Sequence, residues 1–161
     1  MKSVIHVIMA GMILCAVPAF AQTAGTADTN MEIFMQKIKA DKKLLVASNM
    51  GLTDAEGKDF WPVYEAYQKD LQQVNERLGK TIESYAQAYN DGKGTVSNDT
   101  AKKLLDEAIS VEEQEVKLKH TYAEKVGKVL PAAKTARYIQ IENKIRAVIK
   151  FQLAQQIPLV Y

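Results

Sequence analysis

Residues 60–89 read FWPVYEAYQKDLQQVNERLGKTIESYAQAY, and their spacing decides the fold. Apolar side chains fall at Phe60, Tyr64, Tyr67, Leu71, Val74, Leu78, Ile82, Tyr85 and Tyr89. Every step is three or four residues, the spacing of one face of an α-helix. From Phe60 to Leu78 the steps form a strict heptad. After Leu78 a four-step replaces a three-step, and the period over the whole run is about 3.6, that of a straight helix laid on a core rather than of a supercoiled rod. Thirty residues of helix span about 45 Å, so an equally long element must cover this face.

Upstream, Thr53-Asp54-Ala55-Glu56 is a capping-box sequence, so the long helix starts near Asp54. Asp54, Glu56 and Asp59 suit the positive end of its dipole. Pro62 lies inside the helix and predicts a kink near Lys58 to Pro62. A shorter helix precedes it, capped by Thr29 or Asn30 and stopped by Gly51. Its apolar positions are Ile33, Phe34, Ile38, Leu44 and Leu45, with Met31 and Met35 alongside.

Downstream, Asn90 to Val96 is a glycine-rich turn, and Ser97 or Asn98 caps a third helix. Leu104, Leu105, Ala108, Val111, Leu118, Tyr122, Val126 and Val129 give it a matching face. Two helices of similar length joined by a short loop predict an antiparallel hairpin. Pro131 suits the first position of a fourth helix, which runs through Ala132, Ala136, Ile139, Ile145, Ile149 and Leu153 and ends before Pro158. The apolar run Gln156 to Tyr161 should tuck back onto the body or onto a second subunit. The expected fold is all-α: a four-helix, antiparallel hairpin-type domain over residues 29–161, with two long central helices.

The chain begins differently. Lys2 precedes an apolar run, Val4 to Val17, and Ala19-Phe20-Ala21 puts small residues where a signal peptidase reads them. Residues 1–21 read as a cleaved signal peptide, which places the mature chain in the periplasm, and Gln22 to Asp28 as a disordered leader. Cys15, the chain's one cysteine, falls in the discarded segment. The mature chain then has no thiol nucleophile, disulfide or thiolate metal site. Removing 21 of 161 residues leaves 140, enough for one domain. Without Lys2 the 21 basic residues become 20 against 19 acidic, and a net charge of +1 argues against nucleic acid as a partner. No stretch after residue 21 resembles a membrane span.

Candidate chemistry is sparse. His120 is the one histidine of the mature chain, and Glu124 stands one turn on. The two make a weak candidate metal pair, because two ligands do not close a site. Met31 and Met35, four apart, suit soft copper(I) but more often serve as core filler. Nothing selects two acids as a general acid and base, and no triad is recognisable. Gly79-Lys80-Thr81 sits mid-helix without the upstream glycine of a phosphate loop. The expectation is a protein that is not an enzyme and uses no cofactor.

Two further features bear on function. Phe60, Trp61, Tyr64 and Tyr67 form an aromatic stripe that reads either as core with one half-buried indole or as a patch for client segments or a second subunit. Charge is uneven: Met31 to Met50 and the segment from Pro131 are basic, whereas five acids and no base lie between Asp106 and Glu115. A basic surface on the first and fourth helices competes with ordinary solvated faces as the reading. A thin hairpin has little interior, so a homodimer is favoured over cover within one chain.

Leu52-Thr53-Asp54-Ala55-Glu56, in a small exported helical chain, resembles the Spy/CpxP family of periplasmic proteins, often named for an LTxxQ motif. Here Glu56 stands in place of glutamine. At the position of the family's second copy this chain has Leu130-Pro131-Ala132-Ala133-Lys134, with proline for threonine and lysine at the fifth position. The resemblance implies a four-helix, hairpin-built domain, often a homodimer shaped like a shallow cradle. Spy-like members are ATP-independent chaperones for unfolded envelope proteins. CpxP-like members damp a stress-sensing kinase, and CnrX-type members sense metal ions. The leading expectation is therefore a non-enzymatic periplasmic protein that holds exposed apolar segments of client proteins. The alternative is a sensory or regulatory domain acting on a membrane partner.

Overall fold

The computed structural model describes residues 41–160, and these are helical with no strand among them. The signal peptide, the leader, the first-helix caps Thr29 and Asn30, and Met31 and Met35 lie outside the described residues. Four helices are present: α1 (residues 41–50), α2 (Asp54–Asp91), α3 (Asn98–Gly127) and α4 (Ala132–Gln156). The all-α, hairpin-built architecture with two long central helices is the observed one.

Local sequence sets each boundary. Gly51 closes α1 with φ +56, a left-handed conformation that glycine adopts without steric cost. The capping box forms at Thr53: its hydroxyl accepts from the Glu56 amide at 3.3 Å, and the Glu56 carboxylate accepts from the Thr53 amide at 2.8 Å. The helix then continues unbroken through Pro62 for 38 residues. The turn Gly92 to Ser97 uses Gly94 at φ +96, and the Ser97 hydroxyl accepts from the Thr100 amide to start α3. Pro131 is the N-cap of α4 rather than its first helical residue. Gln156 ends α4 two residues before Pro158, which disfavours helix in the residue ahead of it.

Cross-links between helices define the topology. Asp70 meets Tyr122 and Arg77 meets Glu107, so α2 and α3 are antiparallel. Glu56 meets Lys134, Gln68 meets Glu142, Asn75 meets Arg146 and Tyr85 meets Pro158, so α4 runs parallel to α2. The short α1 turns back along the first half of α2, where Lys42 meets Gln68 and Lys43 meets Glu65. These helices belong to one compact unit, Lys39–Tyr161.

The core lies at the end where all four helices meet. It joins Val46 and Met50 of α1, Phe60, Tyr64, Tyr67 and Leu71 of α2, Tyr122 and Val126 of α3, Leu130, and Tyr138 of α4. Tyr138 is the wedge. Its ring lies edge-on to Phe60 at 5.1 Å and near Tyr67 and Tyr64 at 6.1 and 6.2 Å, edge-to-face arrangements that favour aromatic packing beyond area burial alone. Toward the far end, Val74 and Val111 are buried. There the heptad outlasts the apolar pattern. Thr81, seven residues after Val74, takes the buried seat, while Ile82 is half-buried. The Thr81 hydroxyl donates to the Arg77 carbonyl at 3.0 Å, so a polar side chain is tolerated there.

Two expected inward faces need correction. In α1, Leu44 and Leu45 are 70% and 45% exposed, and Lys42, Val46 and Met50 point inward instead. Residues 46 and 44 differ by about 200° around a helix. Turning Leu44 inward would pull the Lys42 ammonium off its partner, Glu142. In α3, Leu105 is exposed, and the inward seats go to Val111, Glu115, Tyr122 and Val126.

The core analysis predicts that Phe60→Ala costs about 3–5 kcal/mol, whereas Leu105→Ala shifts stability by under about 0.5 kcal/mol. Urea unfolding of both variants checks this; equal costs would contradict the burial pattern.

Candidate functional site

The aromatic stripe divides. Phe60, Tyr64 and Tyr67 are buried in this chain's own core, so with α1 and α4 in place they do not meet a client. Burial pushes the Tyr64, Tyr67 and Tyr138 hydroxyls above their ordinary range, with the Glu142 charge adding to it. Trp61 alone stays half-buried. It stands edge-on to Phe60 and Tyr64, and the Lys43 ammonium lies 5.4 Å from its ring centroid.

Beside the rings run charges held between helices. Lys42, 9% exposed, pairs with Glu142, 3% exposed, at 2.7 Å. Gln68 bridges the pair: its amide oxygen accepts from Lys42 at 2.8 Å, and its amide nitrogen donates to Glu142 at 3.0 Å. Burial is the main cause of a lowered Lys42 pKa, which the Glu142 charge opposes. One step along, Arg146 donates through Nε to Glu115 Oε2 at 2.9 Å and through Nη1 to Asn75 Oδ1 at 2.7 Å. The Tyr122 hydroxyl donates to Asp70 at 2.6 Å, and its pKa is pushed up to about 12 by burial and that contact. Among the described residues no buried polar side-chain atom lacks a partner. These groups therefore hold one another, and fix the register of three helices against α2.

Of the acidic block Asp106 to Glu115, three acids are paired with partners distant in sequence and Asp106 with a lysine one turn back. Glu107 takes a two-bonded contact from Arg77, Glu112 pairs with Lys150, Glu115 with Arg146, and Asp106 with Lys102. Much of the expected basic surface disappears the same way, since Lys42, Lys43, Lys134, Arg146 and Lys150 all have acidic partners.

His120 Nδ1 lies 3.4 Å from Glu124, and both side chains are well exposed. No group of three or more His, Cys, Asp or Glu that could hold a metal occurs among the described residues. The motif residues are structural: Leu52 packs against the core, Thr53 caps α2, and Glu56 closes the box. Glu56 also accepts from the Lys134 ammonium, which donates to the Gly51 carbonyl as well.

What remains as open surface is apolar. On α3, Leu105 (60% exposed), Ile109 and Val116 (65%) stand four and seven residues apart in one stripe. Ile109 and Val116 edge a shallow trough that ends at His120. On α4, Val148 and Phe151 (64%) are exposed, as are Leu159 and Val160 in the tail. That tail is pinned by the Tyr85 hydroxyl, which donates to the Pro158 carbonyl at 2.9 Å. The sequence signal for these positions was that α4 carries apolar residues all round from Ile145 to Leu153, whereas a helix with one covered face needs only one stripe. No helix among the described residues is long and apolar enough to cross a membrane.

Two outcomes follow. Glu142→Leu alone strands a buried Lys42 and costs about 3–5 kcal/mol, while Lys42→Met with Glu142→Leu restores most of the loss; a double-mutant cycle by urea unfolding checks this. The Lys134 ammonium, and next the Thr53 amide, hold the Glu56 carboxyl below its ordinary 4.5. Its stabilisation is complete above that value and is lost as pH falls through the lower folded value. Glu56→Gln therefore lowers the melting temperature at neutral pH and flattens its fall in that acid window, as melts across pH will read.

No family model matches this chain, and no curated protein or solved structure does either.

Proposed function

We propose that the protein is a non-enzymatic, exported holding protein of the periplasm that binds exposed apolar segments of other polypeptides. The observation that carries this reading is the pair of open apolar surfaces, on α3 and on α4 with its tail, borne by a helical body whose core is complete without them. Exposed apolar patches on a folded protein mark interaction surfaces. Export is supported by the Lys2, Val4 to Val17 and Ala19-Phe20-Ala21 pattern. The chaperone-like reading is also supported by the Leu52 to Glu56 helix start, which departs from the family motif at Glu56, the second copy departing at Pro131 and Lys134.

The surfaces suit loose, sequence-tolerant holding. They are shallow and built from aliphatic side chains and one phenyl ring, with Glu112, Glu113 and Lys117 beside the stripe on α3 and Lys144 one turn from Val148 on α4. Such surfaces gain most from apolar area and little from directional bonds.

The test is aggregation of an unrelated unfolding client with the mature chain, Gln22 to Tyr161, at equal molar ratio and without ATP. Suppression is expected. The variant Ile109→Ser, Val116→Ser, Val148→Ser, Phe151→Ser should fold equally well and weaken suppression about tenfold in effective concentration. Absence of suppression by the native chain would overturn the reading.

A further inference from the structure

Resting on the exported holding function just proposed, we infer that the outer face of α4 docks on the headgroup layer of an anionic phospholipid bilayer. At about 100° per residue, Arg137, Lys144, Val148 and Phe151 fall within about 60° of one another around the helix. All four are exposed, Val148 by 58% and Phe151 by 64%. Tyr138 and Glu142, which seat α4 against α2, lie on the opposite side. The tail adds exposed Leu159 and Val160 at the apolar end of this stripe. It is held there by the Tyr85 hydroxyl, which donates to the Pro158 carbonyl.

Charge on the stripe has one sign. The one acid of α4 is Glu142, buried and paired with Lys42. Lys134, Arg146 and Lys150 reach sideways to Glu56, Glu115 and Glu112. Arg137 and Lys144 are left on the outer side with apolar neighbours and no acid of their own helix. An anionic surface is the complement of such a face. The α3 stripe differs, because Glu112 and Glu113 stand between Ile109 and Val116. Lipid phosphates would repel those carboxylates. The two open surfaces therefore divide: on a bilayer α4 lies against lipid, and the α3 stripe stays free for clients.

Shape selects a bilayer over a protein partner. The stripe runs along the outward side of one helix and lines neither the α3 trough nor the one between α3 and α4. It has no walls to fix a peptide or a second helix. A headgroup layer needs no matching shape: it takes apolar side chains by area and cations by number. Antiparallel pairing with the same stripe of a second copy would set Arg137 and Lys144 against like charges. No helix among the described residues is long and apolar enough to cross a membrane, so the contact is interfacial. Val148 and Phe151 dip into the headgroup boundary while Arg137 and Lys144 reach phosphates, a reversible contact that uses both signals.

The test is co-sedimentation of the mature chain, Gln22 to Tyr161, with vesicles of phosphatidylglycerol and phosphatidylcholine in equal parts, against phosphatidylcholine alone. Binding is expected only with phosphatidylglycerol, and it weakens as salt rises. Arg137→Gln with Lys144→Gln should lose about thirtyfold in partition. Val148→Ser with Phe151→Ser should lose about tenfold. Lys69→Gln with Lys103→Gln, at exposed positions of α2 and α3, removes equal charge and should bind as the native chain does. Should a pair fail to fold, Phe151→Trp decides: its emission should move to the blue on adding phosphatidylglycerol vesicles, and an unmoved emission overturns the proposal. No sedimentation of the native chain, or equal loss from both basic pairs, also overturns it. A native dimer that ignores vesicles and is broken by Val148→Ser with Phe151→Ser gives the face to a second copy and overturns it too. Vesicle binding without suppression of client aggregation supports the lipid contact and removes the holding function. Suppression without vesicle binding leaves holding in place and removes the lipid contact.

Discussion

Tyr138 reaches from α4 into a cage formed by Phe60, Tyr64 and Tyr67 of α2, and the remaining packing depends on that insertion. The ring sets the height of α4 along α2. Once it is seated, Glu142 lies opposite Gln68 and Arg146 opposite Asn75, because these follow at one-turn intervals on α4. Buried ion pairs contribute little net stability against an apolar alternative, since desolvation offsets most of the attraction. Their effect here is specificity. A slip of α4 by one turn would strand Glu142, Arg146 and Glu115 together in apolar surroundings, so only one register is accessible.

The same economy appears at the junction of α1, α2 and α4. Glu56, which closes the α2 capping box, and Lys134, near the start of α4, are partners in space. Together they form a charged clasp that also holds the Gly51 carbonyl. The acidic run Asp106 to Glu115 behaves alike. Along the chain it is a block of one sign, but the fold sets Arg77, Arg146 and Lys150 against it.

The proposed holding function rests on where apolar side chains were left over. The body buries the rings of Phe60, Tyr64, Tyr67, Tyr122 and Tyr138 and leaves mostly aliphatic side chains, with Phe151, outside on α3 and α4. Large aromatic rings release most free energy when buried in fixed geometry, and so serve the core. Aliphatic stripes tolerate many shapes, which suits the proposed holding of unlike segments.

Much of the architecture was legible because it rests on local rules. The three-and-four spacing of residues 60–89, the Thr53 to Glu56 box, Gly51, the turn before Ser97 and the Pro131 and Pro158 punctuation each act within a few residues, and each boundary appears within a residue of where those rules put it, Pro131 serving as the N-cap of α4. The identity of the inward faces was less legible. Thr81 takes a buried seat that Ile82 was expected to fill, Leu44, Leu45 and Leu105 face out, and Lys42, Glu115 and Glu142 face in. Apolar content cannot reveal such choices, because a buried charge is stable only when its opposite arrives from a helix distant in sequence. The candidate site was hidden for the same reason: which apolar stripe remains open depends on which one the neighbouring helices have already covered. The sequence by itself determined the helices, their ends and the hairpin. Only the tertiary structure decided which rings became core and which surface stayed free, because those outcomes depend on pairings across tens of residues.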